Sequence, residues 1–382
     1  MITTTEPVVS VPAAPSAPAG GNRPAKTVRN SNLELLRVVS MMAIVMHHVV
    51  VHGEPYLTAG DHGDYVAAAA ASFGKAGVDL FLLVGAFFMS GSRLRVRSLA
   101  SLVIQVWTTA WILCGLAIHV GVARFDSLST YHSFQPILTY QYWFATAYLL
   151  LMVLSPFVNT FIRAASRDQL RALIIVLMSI ATMQTLVPAF KFGLGSFSWF
   201  LTVYLVGGYL RHHAPEVRGH GRGWTLAAIG AIAALPFAAM LAWYLATYYP
   251  ELEIGPFGLT LESSPLSFAA ALLLFQAVRR MPARHSRLVN WIASLMFGVY
   301  LFHDLPLMRT WLWKDTLDIP GHVVSIGLVP TLIGGFVVVF VAATLLEAIR
   351  SVLVQRPLMA LVDRLLPRLM RDVDQSVKDA LA

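Results

Sequence analysis

One cysteine in 382 residues, Cys114, leaves no partner for a disulfide and no Cys-built metal site. Charge is scarce as well. Asp, Glu, Lys and Arg together make up 13% of the chain, where soluble domains carry about 25%. Acids are scarcer than bases, 20 against 28, for a formal net charge of +8. In a soluble chain that excess would suggest nucleic acid; here the positives read first as topology signals, and no nucleic-acid partner is expected. Neither Gly-x-Ser-x-Gly nor Gly-x-x-x-x-Gly-Lys-Ser/Thr occurs, which argues against a hydrolase elbow and a P-loop pump. The histidines scatter over loops and span ends without ligand spacing, so no metal is expected. Residues 1–31 lack an apolar core ahead of a small-residue cleavage site and read as a disordered cytoplasmic tail rather than a signal peptide.

What the chain has in quantity is apolar length. Hydrophobic residues make up 57% of it. Runs of spanning length fall at roughly 32–52, 70–91, 99–120, 141–162, 170–190, 197–211, 224–248, 265–280, 289–304 and 323–348. The expected fold is therefore all-α, a multi-pass cytoplasmic-membrane protein of about ten transmembrane helices. Lys and Arg gather on alternate connections: Arg93, Arg95 and Arg97; Arg163, Arg167 and Arg171; Arg211, Arg218 and Arg222; Arg279, Arg280, Arg284 and Arg287. The positive-inside rule then puts both termini in the cytoplasm. Residues 32–348 form the membrane domain. Residues 349–382 alternate leucines with Arg356, Arg364, Arg368 and Arg371, the pattern of an amphipathic helix on the inner leaflet, with Pro357 and Pro367 as breakpoints.

The first run, Asn32 to His48, carries Glu34, Arg37, His47 and His48. Ionisable groups in a span cost roughly 2.5–3.5 kcal/mol each on insertion scales unless paired or wetted. Glu34 and Arg37 lie three apart and can pair on one face. His48 follows Arg37 by eleven residues, almost three turns, so it returns to within roughly 20° of the arginine and about 16 Å along the axis. His47 points about 80° away. His48 is thus the expected working group and His47 its neighbour, in a hydrated shaft shared with Arg37. A buried imidazole there suits general-base work. The plainer alternatives are a packing ion pair and a satisfied core histidine.

Lys75 and Asp79, four apart, can form an intrahelical pair or border the same polar cavity as Arg37. Gly74, Gly77 and Gly85 allow close helix approach. Arg37, with basic loops beside it, is placed to receive a phosphorylated donor from the cytosol.

Five ordered segments carry a family resemblance: Glu34-Leu-Leu-Arg37 with ten residues before His48; Gly77-Val-Asp-Leu-Phe81; Tyr142-Trp-Phe with Tyr148 and Leu154-Ser-Pro-Phe-Val-Asn159; Trp199-Phe200 with Tyr204-Leu-Val-Gly207; and Phe297-Gly-Val-Tyr-Leu-Phe-His-Asp304 with Arg309 and Trp313. The chain resembles the acyltransferase-three family, membrane enzymes that O-acylate bacterial surface polysaccharides. The resemblance implies a ten-span O-acetyltransferase that takes acetyl from cytoplasmic acetyl-CoA, with His48 as the essential catalytic residue and Arg37, steadied by Glu34, as its partner. Two departures stand out. Gly85-Ala86 replaces a Ser-Gly, and Arg93-Leu-Arg-Val-Arg97 replaces an Arg-x-x-Arg.

On this reading Arg37, Lys75, Arg93, Arg95 and Arg97 meet the donor. His47, Asp79, Tyr142, Trp143, His303 and Asp304 meet the acceptor, a polysaccharide or lipid-linked glycan. His303 with Asp304 looks like an imidazole oriented by an acid near the outer mouth. Many relatives carry a fused esterase-like domain that is not found here, so transfer is expected to go directly to the acceptor or to a separate partner. A homo-oligomer is compatible with all of this. An acyl-histidine route remains open beside general-base catalysis, as do a transporter or exporter of a glycan intermediate built on proton relays and a structural or sensory membrane partner.

Overall fold

The computed structural model describes residues 30–59, 62–187, 195–214 and 221–379; the tail 1–29 and the end of the fifth apolar run lie outside them. All regular structure among the described residues is helical. Ten helices of 15 residues or more form the bundle: α1 (Ser31–Gly53), α2 (Phe73–Ser90), α3 (Val96–His119), α4 (Trp143–Ala164), α5 (Arg167–Leu186), α6 (Gly195–His212), α7 (Arg222–Tyr248), α8 (Pro265–Arg279), α9 (Arg287–His303) and α10 (Leu328–Arg350).

Local chemistry sets several starts. The Asn30 side chain accepts from the Asn32 amide at the head of α1. Ser166 and Gln169 close a capping box on α5, and Ser264 and Ser286 cap α8 and α9. Each supplies an acceptor to amides that a helix start leaves without partners.

Eight helical segments among the described residues are long and apolar enough to cross a membrane. A ninth is α9 together with Pro306–Ile326, bent by 79° at the break after His303. The remaining helix, α6, falls short because its 18 residues end in Arg211 and His212 and include Ser196, Ser198, Thr202 and several glycines. It packs against α2 and α4, away from lipid, with Trp199, Phe200, Thr202, Val203 and Tyr204 buried. Its polar groups find partners inside: Tyr204 donates to Asn159 Oδ1 at 2.8 Å and Trp199 Nε1 donates to Asp79 Oδ1 at 2.8 Å.

α2 is the inner post of the bundle, touching α1, α6 and α8. Its glycines make this possible. A Cβ at Gly77 would stand 2.8 Å from the Ser40 carbonyl oxygen of α1, and one at Gly74 would collide with the His47 ring. The α1–α2 contact therefore fixes the azimuth of α1, and with it the side on which His48 emerges.

At the opposite end of the chain α10 runs through a π-helical turn, Ser351–Gln355, into Arg356–Leu365 without a break. Pro357 sits in the first turn of that last piece, where a missing amide is tolerated. The chain turns only at Leu366, before Pro367–Asp379. Asp363 holds Arg97 through two hydrogen bonds, and Asp374 accepts from the Val96 amide at 2.9 Å, so these segments lean on the start of α3. A buried ion pair lies where α10 meets α3 and α9. Glu347 and Arg350, 2% and 3% exposed, bond one another, and Gln105, Thr108 and Gln355 complete their partners. Arg350 reads from sequence as a border charge on the cytoplasmic side, and the pair was not foreseen.

Candidate active site

One face of α1 presents Arg37, Met41, Ile44, His48 and His52, steps of four, three, four and four that keep to the helical period. Met41, Ile44 and His48 form one wall of a narrow cavity. The others are Val78 and Phe81 of α2, Trp143 and Phe144 at the head of α4, and Phe297 and Tyr300 of α9. The cavity leaves about 20 Å³ for the centres of water-sized molecules, room for one or two of them. Arg37 does not line it; the wall residue nearest to it along α1 is Met41, one turn on. This cavity reaches His48 without including the arginine, and its walls are chiefly apolar.

At the far end of the cavity the bend after α9 brings five groups together. His48 Nδ1 lies 2.9 Å from His303 Nε2 and 3.8 Å from Asp304 Oδ1. His303 Nδ1 lies 2.6 Å from the Val299 carbonyl oxygen. His52 Nε2 lies 3.2 Å from Asp304 Oδ1, and Arg309 reaches that same oxygen from Nε at 3.0 Å and from its terminal nitrogen at 2.8 Å.

The partners determine the tautomers. A carbonyl only accepts, so His303 carries its proton on Nδ1 and presents a lone pair at Nε2. His48 must then donate from Nδ1 to His303, which leaves the lone pair of His48 on Nε2. Asp304 receives donors from His52 and Arg309 on one oxygen, which suits its ionised form. In its neutral form His48 therefore keeps its basic nitrogen at Nε2, with Nδ1 held by a second imidazole and lying beside a buried carboxylate.

His52 was absent from the expected site, although it stands four residues beyond His48 on the same face; the view of the histidines as scattered passed over that spacing. Arg309 was quoted only as part of the family pattern, without a role. His48, His52 and Asp304 bring ligand atoms within 4.8 Å of one another. The Arg309 guanidinium already occupies the shared carboxylate oxygen, and a bound cation there would meet like charge.

The other expected residues are spread over both ends of the bundle. Arg37 pairs with Glu34 at 2.9 Å, as the spacing suggests, and its guanidinium lies over the Phe88 ring at 5.6 Å. His47 bonds the Ala71 carbonyl at 2.9 Å and packs on Gly74, turned away from the His48 cavity. Lys75 does not pair with Asp79. It reaches Glu262 of the loop before α8 at 3.1 Å and lies over the Trp143 ring at 5.4 Å. Asp79 accepts from Trp199 and keeps its second oxygen buried without a hydrogen-bond partner among the described residues. Neither Lys75 nor Asp79 lines the cavity, and Lys75 stands near the level of His47, far along the axis from Arg37.

Trp143 lines the cavity, but Tyr142 does not. The Tyr142 hydroxyl donates to the Leu301 carbonyl at 2.7 Å and ties the head of α4 to α9. Arg93 and Arg95 lie on the exposed turn between α2 and α3, and Arg97 is engaged by Asp363.

Comparison with known proteins agrees with the arrangement at the level of family. Residues 30–348 match the family model Acyl_transf_3, an acyltransferase domain, over most of the chain. No curated protein and no solved structure matches. An all-helical membrane bundle with a buried imidazole cluster, matched from the start of α1 to near the end of α10, belongs to the Acyl_transf_3 acyltransferase family.

Proposed function

We propose that the protein is an integral membrane O-acyltransferase that moves an acyl group, acetyl in the first instance, from cytoplasmic acyl-CoA to a hydroxyl of a cell-surface glycan. The observation that carries this reading is the free Nε2 of His48 beside a cavity with room for little more than a reacting group. Arginines gather at the end of the bundle that holds the start of α1 and the ends of α2, α6 and α8, which favours that end as the cytoplasmic one. With α6 and the bent α9 segment counted as crossings, both termini lie on that side.

The acceptor hydroxyl enters from the opposite end and gives its proton to His48 Nε2 as its oxygen attacks the thioester carbon. The imidazolium keeps its Nδ1 bond to His303, and Asp304 at 3.8 Å offsets its charge. The proton then passes to the departing thiolate as the C–S bond breaks. Arg37 orients the donor from the inner end. Lys75 belongs with the acceptor side, beside Trp143 and Glu262.

General-base help is worth about 10²–10⁴-fold, so His48→Ala should lose acyl transfer by a factor in that range while its level in the membrane stays normal. Mass spectrometry of surface glycans from cells with wild-type, His48→Ala or no protein measures this. Undiminished acylation with the alanine variant would remove the assignment.

A further inference from the structure

Acyl transfer builds negative charge on the carbonyl oxygen of the thioester, and the residues described so far handle only the proton. Two independent features of the same cavity address that charge. The first is the Tyr300 hydroxyl. Tyr300 is 4% exposed and its ring lines the cavity; its buried oxygen lies beside the Phe144 backbone and completes no hydrogen bond of good geometry among the described residues. A buried hydroxyl left unpaired costs about 1–3 kcal/mol, so its persistence here points to a partner that arrives with the substrate. The second is the head of α4. The Tyr142 side chain gives that helix no cap; its hydroxyl donates instead to the Leu301 carbonyl. Trp143 and Phe144, whose amides belong to the uncapped first turn, are themselves cavity walls. The first amides of a 22-residue helix are an anion site by geometry and by dipole.

The two features meet. The Tyr300 ring packs edge-on against Phe144 at 5.7 Å and against Tyr142 at 5.8 Å. Tyr300 also stands one turn before His303 on α9, with ring centroids 6.3 Å apart. The Tyr300 ring therefore lies between the start of α4 and the histidine that holds His48, with its hydroxyl beside the Phe144 backbone.

We infer that the Tyr300 hydroxyl and the first-turn amides of α4 form the oxyanion site of the transfer. This rests on the acyltransferase reading. As the acceptor oxygen bonds to the thioester carbon and its proton moves to His48 Nε2, the carbonyl π pair moves to oxygen. That oxygen accepts from the Tyr300 O–H and from α4. When the carbonyl re-forms, the C–S bond breaks and the thiolate takes the proton from His48. The products are the ester and free thiol, with no other reactant needed.

Losing one oxyanion donor costs about 10²–10³-fold in kcat. Purified Tyr300→Phe should show that fall for acetyl-CoA with a glycan acceptor, while the donor KM, the affinity for free CoA and the Tm stay near wild type. Replacing Tyr300 with 4-aminophenylalanine restores an N–H donor at the same place and should recover at least tenfold of the loss. A phenylalanine variant within threefold of wild-type kcat, or one impaired only through KM, would overturn the inference. Should that variant not fold, 3-fluorotyrosine at position 300 keeps the shape and makes the phenol a stronger donor. It should change kcat more than twofold at constant KM, and an unchanged kcat would count against the site. Wild-type protein that transfers no acyl group from any thioester would sink the acyltransferase reading first and this site with it.

Discussion

At the scale of single residues, the strongest result is a chain of proton positions. The Val299 carbonyl fixes the His303 proton, His303 fixes the His48 proton, and the free nitrogen of His48 follows from both. On the proposed function, His303 would act through His48 rather than on the substrate. Removing it should free the His48 ring to rotate and leave its Nδ1–H without an acceptor. His303→Ala is expected to reduce kcat by about 10–100-fold, below the full general-base contribution of roughly 10²–10⁴-fold. Because both residues serve one proton path, the double variant His48→Ala/His303→Ala should be no slower than His48→Ala alone. Turnover of the four proteins at saturating donor tests this, and multiplicative losses would show that His303 has an independent role. Much of this site was legible before the fold was known. The eleven-residue step from Arg37 to His48 is a helical period, and the Glu34–Arg37 pair is an i,i+3 contact; both are local and survive folding. His52, Arg309 and Glu262 were not assigned. Their roles depend on which distant segments meet, and periodicity within one run carries no information about that.

At the scale of elements, the same contrast holds for the helices. All ten apolar runs could be read from length and hydrophobicity alone. The run that became α6 is, with the eighth and ninth, among the shortest of them, and a helix shielded by α2 and α4 has no need to be apolar all round. The Glu347–Arg350 pair was missed for a related reason, since a charge at the end of a run looks like a border charge until its neighbours are known. In the fold it pins α10 to α3 through Gln105 and Thr108, and the Glu347 carboxyl fills the space beside Gly298 of α9. Breaking a buried pair by removing one partner costs about 3–5 kcal/mol, whereas replacing both with apolar groups of similar volume is often close to neutral. Arg350→Met should therefore lower the Tm markedly and reduce folded yield. Glu347→Met/Arg350→Met should recover most of both, with acyl transfer preserved since neither residue approaches the His48 cavity. Thermal unfolding in detergent measures the difference. A double variant as unstable as the single would mean that the pair contributes hydrogen-bond specificity that apolar packing cannot replace.

At the scale of the whole molecule, the proposed chemistry requires a direction: donor at the arginine-rich end, acceptor at the histidine end. That direction depends on α6. If α6 crosses with the other nine, the connection between α7 and α8 lies outside and the chain after α10 lies inside. If α6 remains on the outer side, every later segment is inverted, and the charged residues after α10 would face away from the cytosol against the positive-inside bias. The chain offers a clean way to test this, because its single cysteine is fully buried in α3 and should give little background with a membrane-impermeant maleimide. Four exposed positions make the probe set: Ser92→Cys after α2, Asp126→Cys after α3, Glu253→Cys after α7 and Ser376→Cys in the final helix. In intact cells Asp126→Cys and Glu253→Cys should label, while Ser92→Cys and Ser376→Cys should label only after permeabilisation. Labelling of Asp126→Cys with protection of Glu253→Cys would show that α6 does not cross. The contact of Glu262 with Lys75 at the start of α2 could then not form, and the assignment of Lys75, Glu262 and Trp143 to the acceptor would fail.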